Sequence, residues 1–131
     1  MDESSRPRTR APLTLEAERI GRVTEGLLLG VSDQVDIIEP VEKFTANLQS
    51  KPGVRNIFNV GLEEWCPAEG IQYDLIWIQW CSNYLNDEQL VAFLQYCRQS
   101  LNPDGGVIVL KENLSTSGCD YFDPEDSSVT R

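Results

Sequence analysis

The sequence predicts an α/β protein built on a mostly parallel β-sheet. Short apolar runs alternate with stretches of helical periodicity along the chain. The run "DLIWIQ", residues 74–79, reads as a strand buried on both faces. The 131 residues suffice for one domain around one core.

The elements follow in order. Residues 1–12, "MDESSRPRTRAP", are polar, rich in Arg and Pro, and lack periodicity, so they read as a disordered head before a domain over residues 13–131. Over residues 15–29, Ile20, Val23, Leu27 and Leu28 follow helical spacing, and Gly30 suits the helix end. Residues 34–40, "QVDIIEP", form a short strand stopped by proline. Val41, Phe44 and Leu48 make a helical stripe, with Thr45 on the same face. Residues 54–61, "VRNIFNVG", read as a strand, and 62–72 as a loop with a helical turn at "LEEW". After the strand at 73–79, Asn86 is a good N-cap and Gln89 completes a capping box. Leu90, Phe93, Leu94, Cys97 and Leu101 form the buried stripe of that helix. "NPDGG" is a turn, "VIVLKE" a strand, and the acidic, Ser-rich remainder leads to a helix capped near Asp126 or Ser127.

Composition narrows the function. The net charge of −10 argues against nucleic acid, because phosphate contacts need a basic surface, and is compatible with a cationic peptide. None of the four cysteines forms a CxxC pair and there is no histidine, so no usual zinc spacing exists and no metal is expected. Reduced thiols in the cytoplasm or nucleus are the expected state. The lack of histidine also removes Ser/His and Cys/His catalysis. No apolar run approaches a membrane span. Ligands of parallel sheets sit at the carboxyl ends of strands, here Glu39, Gly61-Leu62, Gln79-Trp80 and Glu112-Asn113.

At those strand ends "YDLIWIQW", "LNDEQLVAFLQYCRQSLNPDGGVIVLKEN" and "DPEDSSVTR" closely resemble the alpha N-terminal protein methyltransferases, the N-terminal Xaa-Pro-Lys N-methyltransferase family. The resemblance runs from about residue 20 to residue 131. It implies a Rossmann-like sheet and transfer of methyl groups from S-adenosylmethionine to the α-amine of proteins that begin Xaa-Pro-Lys. It assigns cofactor contacts to Gly21, Arg22, Glu39, Pro40, Gly61, Leu62, Glu63 and Gln79. A carboxylate at the position of Glu39 would accept from the ribose hydroxyls, and Arg22 would pair with the cofactor's carboxylate. Substrate contacts fall on Trp80, Tyr84, Asn113, Asp123, Asp126 and Ser128. Tyr84 stands where the family has a histidine. A phenol titrates near ~10 and makes a poor base at neutral pH, which leaves Asp126 as the catalytic candidate.

The chain departs from the family at the start. The glycine-rich loop of the form D-C-G-A-G-I-G-R is matched by "LEAERIGR", residues 15–22, with Ala17 and Arg19 at the first two glycines. "PRTRAPLT" does not look like the strand that precedes such a loop, and the family's closing helix and strands are not matched at the other end. The expectation is therefore a truncated member whose sheet lacks its first strand and its C-terminal strands. Two functions remain open: an active methyltransferase, or a non-catalytic remnant that binds a peptide or partner protein. A small-molecule methyltransferase of the same fold is disfavoured by "IWIQW" and the Asp-Ser-Ser segment.

Overall fold

The computed structural model describes residues 11–18 and 28–131. Its main sheet has five strands in the order β3-β2-β1-β4-β5: β1 at Ala11–Glu18, β2 at Ser32–Ile38, β3 at Val54–Phe58, β4 at Leu75–Gln79 and β5 at Val107–Lys111. Every pairing in it is parallel. The chain builds outward from β1 to β3, then returns to the other side of β1, so the topological switch lies between β1 and β4.

The sheet therefore does contain its first strand, which corrects the expectation that it was missing. β1 starts at Ala11, within the stretch expected to be a disordered head. Its residues Leu15 to Glu18 pair with β4 where the sequence was read as the start of a helix. The physical reason is a mixed pattern. Leu15 and Ala17 are buried in the core that also holds Ile76 and Ile78, whereas Thr14 and Glu16, on the opposite face, are polar yet wholly buried. Central parallel strands usually read as unbroken apolar runs, and this one alternates. The Thr14 hydroxyl is matched by Ser32 at 2.7 Å, which makes its burial tolerable. Pro12 is accommodated near the strand start, and from Leu13 the backbone N–H is used again, donating to Asp74 Oδ2 at 3.1 Å.

Each face of the sheet has its own core. On one, Ile76 and Ile78 join Trp65, Tyr73, Phe93 and Cys97. On the other, Val35 and Ile37 join Leu28 and Leu48. Helix α1 is the short Leu29–Val31 segment; α2, Asp87–Gln99, carries Phe93 and Cys97 inward. Its capping box is present as read: Gln89 N–H donates to Asn86 Oδ1 at 2.8 Å, and Asn86 N–H to Gln89 Oε1 at 2.9 Å. The helix expected after Val41 is reduced to a 3-10 turn, Glu42–Phe44. The remaining positions of the first predicted helix, Ile20, Val23 and Leu27, lie outside the described residues.

The C-terminal helix expected near Asp126 is instead a hairpin, β6 at Tyr121–Phe122 and β7 at Val129–Thr130. Asp and Ser favour turns as readily as helix caps. Here the Asp123 and Asp126 carboxylates accept from the N–H groups of Glu125 and Ser128, each at 2.9 Å, and so close the turn. β7 packs beside the 3-10 turn Ser82–Tyr84, and Arg131 anchors the hairpin by donating to Leu85 O at 2.8 Å and to Asp87.

Candidate active site

A cleft of about 810 Å3 opens at the carboxyl ends of β2 and β3 and reaches the loop after β4. Its walls bring together six of the residues singled out from sequence: Glu39, Pro40, Gly61, Leu62, Glu63 and Tyr84. The volume suits a nucleoside-sized ligand.

Glu39 follows β2 directly and is only 4% exposed. Its backbone N–H donates to Phe58 O at 3.0 Å, and its carbonyl accepts from Asn59 Nδ2 at 2.9 Å. Its carboxylate accepts from Val41 N–H at 3.0 Å. Asn59, which also donates to Thr45 Oγ1 at 3.2 Å, was missed in the sequence. The only available signal was an amide two positions before Gly61 at a strand end. Across the cleft, the Glu63 carboxylate folds back over Gly61: a Cβ at Gly61 would lie 2.5 Å from Glu63 Oε1. The bare backbone of Gly61 is thus closely covered on one side and faces the cleft.

Cys81 lines the cleft as well, and its thiol donates to Ala17 O at 3.2 Å. Burial holds that thiol protonated well above its ordinary range, and the carboxylates of Glu112, Glu16 and Glu39 push in the same direction. The carboxylates of Glu39, Glu63 and Glu64 line the cleft itself.

The other predicted residues are placed elsewhere. Gln79 does not line the cleft; its amide oxygen accepts from Trp77 Nε1 at 2.9 Å. Trp80 is 49% exposed, and its backbone N–H donates to Lys111 O at 3.0 Å. Lys111 Nζ lies 5.5 Å from the indole centroid. Asn113 is exposed beyond β5, and Asp123, Asp126 and Ser128 sit on the C-terminal hairpin. The structure does not bring these into the cleft. It groups the hairpin instead beside the Ser82–Tyr84 turn at one rim. Gly21 and Arg22 lie outside the described residues.

A parallel sheet with this strand order and a ligand-sized cleft at its carboxyl edge defines the Rossmann-like fold of S-adenosylmethionine-dependent methyltransferases. The chain matches the AdoMet-dependent proline di-methyltransferase family over residues 7–131, and it belongs to that family. It is 48% identical over 114 residues to alpha N-terminal protein methyltransferase 1 of Schizosaccharomyces pombe, covering 86% of this chain and 51% of that protein. It is 41% identical over 117 residues to N-terminal Xaa-Pro-Lys N-methyltransferase 1 of Homo sapiens, with the same shares covered. A solved Leishmania major SAM-dependent methyltransferase superimposes with a TM-score of 0.81 at 36% identity, over 98% of this chain and 52% of that one. The chain thus spans about half the length of the curated relatives it matches.

Proposed function

We propose that the protein is an S-adenosylmethionine-dependent methyltransferase acting on the α-amine of proteins that begin Xaa-Pro-Lys. The observation that carries this is the convergence of Glu39, Gly61, Leu62 and Glu63 on one cleft at the ends of adjacent strands, in a chain of this family. The residues fit the donor. Glu39 offers a nearly buried carboxylate at a strand end, as ribose hydroxyls need, and Gly61 offers bare backbone for an adenine to approach. The carboxylates of Glu39, Glu63 and Glu64 in the lining suit a cationic sulfonium. When bound, the donor supplies an electrophilic methyl group.

The chain's own task is then to orient and deprotonate an amine. An α-amine titrates near ~7.7–8.0, so roughly a tenth is free base at neutral pH and a weak acceptor suffices. The family resemblance points to Asp126 to take that proton, directly or through water, from a hairpin outside the cleft lining. That hairpin packs beside the turn bearing Tyr84. The exposed indole of Trp80 is the surface offered to the leading residues of the peptide. A cationic third residue meets a protein of net charge −10. Cytoplasm or nucleus is the compartment in which such substrates and four free cysteines fit best.

Titration calorimetry with S-adenosylmethionine, followed by incubation with a peptide beginning Pro-Pro-Lys, tests the reading. Binding, then methylation of the free peptide but not of its acetylated counterpart, is the expected result. Equal methylation of both would remove the proposed substrate class. Absence of heat with the donor, together with retained peptide binding, would identify a non-catalytic binding remnant instead.

A further inference from the structure

We propose that Glu112 is a positioning residue that fixes the loop from Trp80 to Tyr84 as one wall of the cleft. The consequence for substrate binding rests on the reading of that cleft given above; the positioning itself does not. Glu112 follows β5 directly, and its Oε2 accepts twice from one residue: from Ser82 N–H at 3.0 Å and from Ser82 Oγ at 2.7 Å. Ser82 is 2% exposed and opens the Ser82–Tyr84 turn, which has no side-chain cap of its own. The preceding residue, Lys111, holds the start of the same loop through its carbonyl, which accepts from Trp80 N–H at 3.0 Å. Two consecutive residues at one strand end thus grip both parts of a short segment.

That segment needs an external hold. Trp80 adopts φ of 57°, a left-handed conformation that bulky side chains avoid and that persists only where surrounding structure enforces it. The loop places Cys81 and Tyr84 in the cleft wall and leaves the Trp80 indole exposed. Neither Glu112 nor Ser82 lines the cleft, so any effect of Glu112 on it passes through the loop. Hydrogen bonds to a carboxylate are roughly twice as strong as neutral ones, which is why one side chain can hold a strained turn.

Cys81, between Trp80 and Ser82, reports the loop's position, because its thiol is tucked against Ala17 O. The chain carries its own standards: Cys66 and Cys119 are exposed, and Cys97 is buried in the α2 core. The experiment is alkylation with iodoacetamide at mildly alkaline pH, read residue by residue by peptide mass spectrometry. In Glu112→Ala, labelling of Cys81 relative to Cys66 rises about tenfold, as loss of charge-assisted bonds predicts, while Cys97 stays protected. Glu112→Gln, which keeps an oxygen acceptor for Ser82, returns Cys81 to within about threefold of wild type. A rise in Glu112→Gln equal to that in Glu112→Ala would trace to the charge lost beside the thiol and overturns the proposal. An unchanged Cys81 rate in Glu112→Ala with Cys97 protected overturns the proposal. If Cys97 is labelled too, the core has opened, and Ser82→Ala, which removes only the hydroxyl arm, is read in its place. A rise of about threefold at Cys81 then supports the proposal and an unchanged rate overturns it. No ligand is present in any arm, so failure of donor binding and failure of loop positioning are separate results.

Discussion

Asp36 and Glu39 stand three residues apart on the same stretch of chain, one inside β2 and one just past its end. Both are carboxylates and both are nearly inaccessible, at 0% and 4% exposure. Their surroundings differ. Asp36 accepts from Arg55 through both oxygens, from Asn56 N–H at 3.1 Å and from the Tyr73 hydroxyl at 2.7 Å. Pairing between β2 and β3 slips between Val35 and Ile37, where β3 has one residue more than β2. The Asn56 N–H within this bulge is satisfied by Asp36. Glu39 accepts from Val41 N–H as well, but it lies in the wall of a cleft. A buried charge whose partners are all internal serves the fold; one placed at the strand rim, against open volume, is placed for a ligand.

The largest effect follows from breaking the first of these. Asp36→Ala leaves a guanidinium, a phenol and a backbone N–H without their acceptor. Removing one partner of such a pair costs about 3–5 kcal/mol, read as a fall in unfolding free energy in urea. Glu39→Ala should invert the pattern. The stability change stays within about 1 kcal/mol, while donor affinity measured by calorimetry falls roughly tenfold or more, the value of hydrogen bonds to a charged acceptor. Equal losses in both quantities for Glu39→Ala would erase the distinction drawn here.

Tyr73→Phe sharpens the core side of the comparison. It removes one hydrogen bond to Asp36 and costs about 1 kcal/mol at neutral pH. Its pH dependence is more telling. Burial, then the Asp36 carboxylate, holds the phenol protonated above its ordinary 10.0. The unfolded chain releases that proton first, so the folded state binds more protons and stability declines with rising pH. The contribution is complete below about pH 10 and is lost as pH climbs toward the folded value. Cys97, pushed up to about 12 by burial, adds a decline that starts nearer its ordinary 9.0, so the variant and wild type must be compared as a difference. The expected outcome is a flatter curve for Tyr73→Phe above about pH 10, measured by urea unfolding at each pH.

What the sequence made legible follows the same division. β4, β5 and α2 were plain because each has one dominant signal: an apolar run for the strands, and a capping box with an apolar stripe for the helix. Glu39 and Gly61 to Glu63 could be singled out together because strand ends can be counted from such runs, and they line one cleft. β1 was not legible, because Thr14 and Glu16 interrupt it with polar residues whose burial depends on neighbours distant in sequence, as with Thr14 and Ser32. The C-terminal hairpin was hidden by ambiguity: Asp and Ser cap helices and close turns by the same hydrogen bonds. For Gln79, strand alternation alone does not tell whether a buried amide meets a ligand or a neighbouring indole; its oxygen accepts from Trp77 Nε1.

The smallest effect, Gly61→Ala, tests the rim most cleanly. A methyl group there would come 2.5 Å from Glu63 Oε1 and 2.6 Å from Oε2, closer than atoms tolerate. The obstacle is the tip of a flexible, exposed side chain rather than backbone, so it can swing away at little cost. Gly61 is also not in the left-handed region, and alanine reduces the freedom of the unfolded chain, which offsets part of any loss. Stability should therefore change by less than about 0.5 kcal/mol in urea unfolding. The added methyl nevertheless occupies the approach of a ligand to the Gly61 backbone, so donor affinity should fall by about three- to tenfold. A loss of stability above about 1 kcal/mol with unchanged affinity would assign Gly61 to the scaffold with Asp36 and move the cleft's adenine end elsewhere.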